Sequence, residues 1–127
     1  MVIKGFGASG IEFEARIDMI DGVLAKDSEI VLYRIVQECA NNIVKHSQAH
    51  RAVLKIARGD NHLSVHISDN GRGFDRSAGE PDLSKRSFGL VGIAERTRLL
   101  GGQLHIESNP GAGTTISITI ECPDNTI

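Results

Sequence analysis

The residues best suited to chemistry form a short run, Asp69-Asn70-Gly71-Arg72-Gly73-Phe74, placed directly after Leu63-Ser64-Val65-His66-Ile67-Ser68. The preceding segment alternates apolar and polar residues with period two, the pattern of a half-buried strand. Leu63, Val65 and Ile67 share a parity, and Asp69 shares it too. A carboxylate is therefore expected on the buried side at the strand's end. Burying it is costly unless a donor meets it, and a ligand amine can be that donor. Gly71 and Gly73 lack the side chains that would hold a ligand off the backbone. The same run also fits a tight turn built on Asp and Asn.

A second constellation lies on a predicted helix. Glu38 and Asn42 are four apart and so share a face, with Lys45 on the next turn. Leu32, Val36, Cys39, Ala40 and Ile43 form an apolar stripe on a neighbouring face. An acid, an amide and a base beside a core stripe can line a cleft. Glu38 can act as a base. The amide oxygen of Asn42 is a hard ligand suited to Mg²⁺. Lys45 can meet a phosphate as a point charge. The competing reading is a solvated face with ordinary i,i+3 and i,i+4 pairs.

Two further glycine segments follow. Gly89-Leu90-Val91-Gly92 leads into a second helical pattern, whose first N–H groups suit a phosphate. Gly111-Ala112-Gly113-Thr114 precedes the last strand pattern, where Thr114 shares parity with Ile116, Ile118 and Ile120. The Thr114 hydroxyl is thus expected on the same side as Asp69, where the two can receive one polar ligand edge together. A glycine turn followed by a strand-initial Thr reads equally well.

These residues need elements to hold them. Residues 1–10 read as a lead-in or linker remnant, and 11–127 as one domain. Strands are expected at 11–18, 51–58, 62–69, 103–108 and 114–122. The hairpin between the second and third carries Gly59-Asp60-Asn61. One helix is expected from Asp27 or Ser28, as N-cap, to about His46, and another from about Leu90 to Leu100 with Gly101-Gly102 as its stop. Residues 74–88 are polar, include Gly79 and Pro81, and read as a mobile loop. At 127 residues the chain can bury a real core. A net charge of −2 gives no reason to expect nucleic-acid binding. Cys39 and Cys122 fall in a helix and at a strand end, which suggests a reducing compartment rather than a disulfide framework. His46, His50, His62, His66 and His105 show no metal-ligand spacing. No apolar run is long enough to span a membrane.

The order of these motifs resembles the ATP-binding catalytic domain of sensor histidine kinases, within the Bergerat-fold ATPase superfamily. The likeness spans about residues 11–122. Leu32-Tyr33-Arg34-Ile35-Val36-Gln37-Glu38 running into Asn42-Ile43-Val44-Lys45-His46 resembles the NarL/DesK-like subgroup of two-component kinases. So do Gly89-Leu90-Val91-Gly92-Ile93-Ala94-Glu95-Arg96 and Leu100-Gly101-Gly102.

The resemblance implies a two-layer α/β sandwich, a mixed sheet of about five strands with helices on one face. It implies ATP and Mg²⁺ as cofactors, with the 74–88 loop as a lid. Asp69 is then the acceptor for the adenine amino group, and Gly71 and Gly73 are the glycines of that box. Asn42 is the Mg²⁺ ligand, and Lys45 and His46 are the basic pair near the phosphates. Gly89 and Gly92 form the second glycine box, and Gly111, Gly113 and Thr114 the third. Glu38 orients or deprotonates the attacking imidazole. The implied reaction transfers the γ-phosphoryl group to a histidine on a dimerisation and phosphoacceptor domain, with a response regulator downstream. No phosphoacceptor motif precedes residue 11, so the acceptor is expected on a separate domain. The isolated domain is expected to be monomeric and cytoplasmic, and the parent kinase a homodimer that can be membrane-anchored. A serine-kinase anti-sigma factor of the same superfamily, or a non-catalytic nucleotide-binding module, shares much of the pattern.

Overall fold

Period-two alternation produces five strands: β1 (Glu12–Ile17), β2 (Arg51–Arg58), β3 (His62–Asp69), β4 (Gly102–Ser108) and β5 (Thr114–Glu121). Two helices accompany them, α1 (Lys26–Asn42) and α2 (Leu90–Leu99). The computed structural model describes residues 10–20, 22–72 and 90–121, with His46 and Leu90 described by backbone alone. The lead-in up to residue 9, Gly73, the 74–88 loop, Gly89 and Cys122 lie outside the described residues.

The strands form one sheet in the order β1-β2-β3-β5-β4. β1 runs parallel to β2, and every other pair is antiparallel. The sheet is therefore mixed, and α1 supplies the long crossover that a parallel pair requires. Ala52, Leu54 and Ile56 of β2, Leu63, Val65 and Ile67 of β3, and Ile116, Ile118 and Ile120 of β5 are buried on one face. They pack with Leu32, Ile35, Val36, Cys39 and Ile43 from the first helical segment and Ile93 from α2. Each fully buried aliphatic side chain is worth roughly 1.5–3 kcal/mol. The opposite face carries polar residues such as His66, hydrogen-bonded to Ser117, and His105, paired with Glu107. One solvated face is what an antiparallel sheet tolerates.

α1 departs from expectation at both ends. Its N-cap is Ala25, in extended conformation with ψ 155°, and no side chain caps it. Asp27 sits in the first turn instead, and there it favours the positive end of the helix dipole. At the other end the α-helix stops at Asn42 and continues as a π-helical turn, Ile43–Ser47. Gln48 then adopts a left-handed conformation, φ 55°, that turns the chain into β2. α2 ends as its glycines predict: Gly101 has φ 68°, and its N–H donates to the Arg98 carbonyl at 2.9 Å.

Candidate functional site

Sheet register assembles the site. Asp69 at the end of β3 faces Thr114 at the start of β5. Thr114 in turn faces Ser108 at the end of β4. The three residues form a row across three neighbouring strands on the helix side of the sheet. Asp69 is half-buried, and burial holds its carboxyl above the usual carboxylate range. Backbone N–H groups of Gly71 and Thr114 oppose that shift by donating to it, the Gly71 bond measuring 2.8 Å. The buried acid expected from parity is thus met by protein donors. Two donors do not exhaust a carboxylate, which has about four lone-pair sites, so a ligand amine can still be accepted.

The glycines permit this arrangement through close approach. A Cβ on Gly71 would overlap the Ser47 carbonyl and sit 2.8 Å from Asp69 Oδ1. A Cβ on Gly113 would overlap the Asp69 carbonyl, and Gly113 has φ 78° besides. Each is fixed by backbone, which cannot swing aside. Gly111 has open space around it but a φ of 77°, and its N–H donates to the Arg72 carbonyl at 2.6 Å. For Gly92, in the first turn of α2, a Cβ would meet only the Arg96 guanidinium, 2.9 Å from Nη1. That tip can move, so packing among the described residues does not demand glycine there.

The loop after β3 is tied on several sides. Arg72 N–H donates to the Ser47 carbonyl at 2.7 Å, joining the loop to the π-helical turn. Asn70 Oδ1 accepts from the N–H groups of His50 and Arg51 at 2.9 and 3.0 Å. The turn of Asn70 is therefore a staple onto the start of β2. Sequence reasoning treated Asn70 as a turn former and missed both this role and that of Ser47. Ser108 was also missed, though its parity with Leu104 and Ile106 marks it as inward-facing.

On α1, Glu38 and Asn42 are half-buried beside the core stripe. Cys39, fully buried next to them, has its thiol pushed up to about 12 by burial and then by the Glu38 charge. It is thus an inert core residue. Lys45 is exposed on the π-helical turn. The row read as Glu38, Asn42 and Lys45 therefore crosses an α-to-π junction. π-helical turns inside helices recur at functional sites. The side chain of His46 and the glycines Gly73 and Gly89 lie outside the described residues. Among the described residues no three His, Cys, Asp or Glu side chains gather into a metal cage.

A sheet layered with helices on one face, glycine loops at one end and an acid–hydroxyl pair across two strands defines an α/β sandwich of the GHKL type. The chain belongs to the histidine kinase-, DNA gyrase B-, and HSP90-like ATPase family, which it matches over residues 27–124. It is 45% identical over 92 residues to the signal transduction histidine-protein kinase/phosphatase DegS of Brevibacillus brevis, covering 72% of this chain and 23% of DegS. It is 42% identical over 95 residues to the sensor histidine kinase ComP of Bacillus subtilis, covering 75% of this chain and 12% of ComP. These relatives support the NarL/DesK-like subgroup. The chain thus spans under a quarter of the length of either relative. The blue-light activated histidine kinase of Erythrobacter litoralis shares the fold with a TM-score of 0.76 at 19% identity, covering 92% of this chain and 39% of that one. No described helix is long and apolar enough to cross a membrane.

Proposed function

We propose that residues 11–127 form the catalytic domain of a two-component histidine kinase. It binds ATP with Mg²⁺ and passes the γ-phosphoryl group to a histidine on a separate dimerisation and phosphoacceptor domain. A response regulator takes the phosphoryl group onward. The observation that carries the reading is the Asp69–Thr114 pair, a half-buried acid and a hydroxyl in register across β3 and β5 with spare acceptor capacity.

Asp69 accepts from the adenine amino group, and Gly71, Gly111 and Gly113 hold the loops that bring Asp69 and Thr114 together. Gly92 lies in the first turn of α2, where the first N–H groups of a helix favour phosphate, and Gly89 is the other glycine of that box. Lys45, on the π-helical turn, meets the phosphates as a point charge, and His46 is the second residue of the basic pair near them. Asn42 supplies a hard oxygen ligand for Mg²⁺, an ion that takes few protein ligands and keeps water and phosphate oxygens. Bound there, Mg²⁺ offsets phosphate charge. Glu38 orients the incoming imidazole or takes its proton. The chain's own contribution is chiefly positioning and charge complementarity, as in phosphoryl transfer generally. The active parent is a homodimer, with this domain on the cytoplasmic side.

Asp69→Ala tests the reading. It removes a charged acceptor worth about 1.5–3 kcal/mol, so ATP-analogue affinity should fall roughly 10- to 150-fold in a calorimetric titration. Unchanged affinity would remove the adenine assignment.

A further inference from the structure

The sheet has a second face, turned away from both helices, that the proposed mechanism does not use. On it, register lines up one rung across all five strands: Arg16 of β1, Lys55 of β2, His66 of β3, Ser117 of β5 and His105 of β4. Every member can donate a hydrogen bond and none is an acid. Arg16 stands directly opposite Lys55, and like charges so placed disfavour the pairing. At the ends of the rung, Glu14 draws Arg16 to 3.4 Å and Glu107 meets His105 at 3.0 Å. In the middle, Lys55 and His66 are exposed and pair with no carboxylate among the described residues. His66 Nδ1 lies 3.0 Å from Ser117 Oγ instead. An anion laid along the rung would relieve the Arg16–Lys55 opposition and give the central donors an acceptor.

Shape narrows the choice of anion. On the three central strands the rung is flanked by short side chains, Val53, Ser68 and Thr115 on one side and Ala57, Ser64 and Thr119 on the other. A rod can therefore settle onto the line of longer donors. Strands about 4.8 Å apart make the rung roughly 19 Å long. A helix advances about 5.4 Å per turn, so carboxylates at i, i+4, i+7 and i+11 fall over successive strands. A broad anionic surface such as a bilayer fits worse, because it would also meet Glu12, Glu14, Glu107 and Glu121 on this face. Single-stranded nucleic acid would find no Phe, Tyr or Trp among the strand positions of this face on which to stack bases. We propose that the rung is a docking surface for an acidic amphipathic helix of a partner protein, lying across the strands with its carboxylates over Arg16, Lys55, His66 and His105. It shares no residue with the nucleotide site, which lies on the helix side of the sheet.

The test uses two stapled helical peptides of one composition. One carries glutamates at i, i+4, i+7 and i+11; its isomer spreads them round the helix. Each is titrated into the chain at an ionic strength of about 0.01 M, where screening reaches only beyond roughly 30 Å, and backbone amide shifts are followed by NMR. The patterned peptide should move the amides of Lys55, His66 and Ser117 and bind several-fold more tightly than its isomer, with affinity falling as salt is added. Lys55→Ala should weaken it roughly 1.4- to 5-fold, the worth of one exposed ion pair. Arg16→Glu combined with Lys55→Glu should abolish it, and dispersion of the amide spectrum shows whether that variant is folded; if it is not, Lys55→Ala decides. Equal binding of the two peptides, shifts centred away from the rung, or affinity indifferent to Lys55→Ala would overturn the proposal. So would two other results. Phosphatidylserine vesicles that bind through Lys55 while neither peptide does would make the partner a membrane. Shifts at the rung that grow with protein concentration alone would make it a second copy of this chain.

Discussion

Under the proposed reading, Asp69 serves binding at a cost to the fold. Burial raises its pKa above the ordinary carboxylate range, and the Gly71 and Thr114 N–H groups only partly oppose this. For an acid with a raised folded pKa, the folded chain holds the proton more tightly than the unfolded chain. Stability is therefore greatest when Asp69 is protonated, and it falls as pH rises from the ordinary value through the raised one. At neutral pH the ionised carboxylate weighs against folding. Asp69→Asn mimics the protonated form and keeps an oxygen for one of the two N–H donors. Without nucleotide, the variant should be more stable than wild type at neutral pH, and the gap should close as pH drops below about 4, the ordinary Asp range. Urea titrations of both chains across that range check this. A variant that is less stable at neutral pH, or a gap that ignores pH, would contradict it. The same variant should bind ATP analogues more weakly, a trade of function against stability seen at many active sites.

Among the elements, α1 and the π-helical turn that follows it carry Glu38, Asn42 and Lys45 and show where sequence reading succeeds and stops. The apolar stripe at Leu32, Val36, Cys39, Ala40 and Ile43 was visible from spacing, and all five are buried, with Ile35 beside them. Strands β2 and β3 match their expected bounds, because alternation is strong and Gly59 marks the turn. Parity put Asp69 and Thr114 on one side of the sheet, whereas their pairing across β3 and β5 depends on strand order and register, which parity does not carry. The π-helical turn was not legible either, since Ile43–Ser47 has no composition that distinguishes i+5 from i+4 bonding. The Ser47 and Asn70 ties were hidden for a related reason: each joins segments distant in sequence, Ser47 through its backbone carbonyl and Asn70 through a side-chain oxygen whose partners are backbone N–H groups. The N-cap was misassigned because Asp27 and Ser28 are good capping residues, yet the chain turns extended at Ala25. That mismatch yields a prediction. Ala25 is exposed and leaves the first turn without a side-chain acceptor. Ala25→Ser should supply one and stabilise the domain by about 0.5–2 kcal/mol. Chemical denaturation measures it, and an unchanged midpoint would show that the first N–H groups already have adequate partners in water.

For the whole molecule, the relevant fact is how little of a kinase this chain covers: 23% of DegS and 12% of ComP. If catalysis is positioning, the domain alone holds a nucleotide and the means to aim it, while the target sits on another domain. The isolated chain should then bind ATP and gain no stable phosphate label. Mixed with the dimerisation and phosphoacceptor domain of its own parent, made separately, it should label that domain, but slowly. The covalent connection normally supplies an effective concentration near the millimolar range for a short flexible linker, and mixing at micromolar concentrations forfeits most of it. Raising the acceptor concentration should recover the rate. The product should be acid-labile and base-stable, as a phosphohistidine is. Glu38→Ala should slow this transfer by about 10²- to 10⁴-fold if Glu38 acts as a base on the attacking imidazole, and by much less if it only orients the ring. In either case its ATP affinity should change little, because Glu38 works on the nucleophile. Radiolabelled ATP, a time course and an acid wash distinguish these outcomes. Label on the lone domain, or an acid-stable product on the acceptor, would turn the assignment toward a serine kinase of the same superfamily. A Glu38→Ala variant that loses ATP binding and transfer in equal measure would place Glu38 with the nucleotide rather than with the incoming histidine.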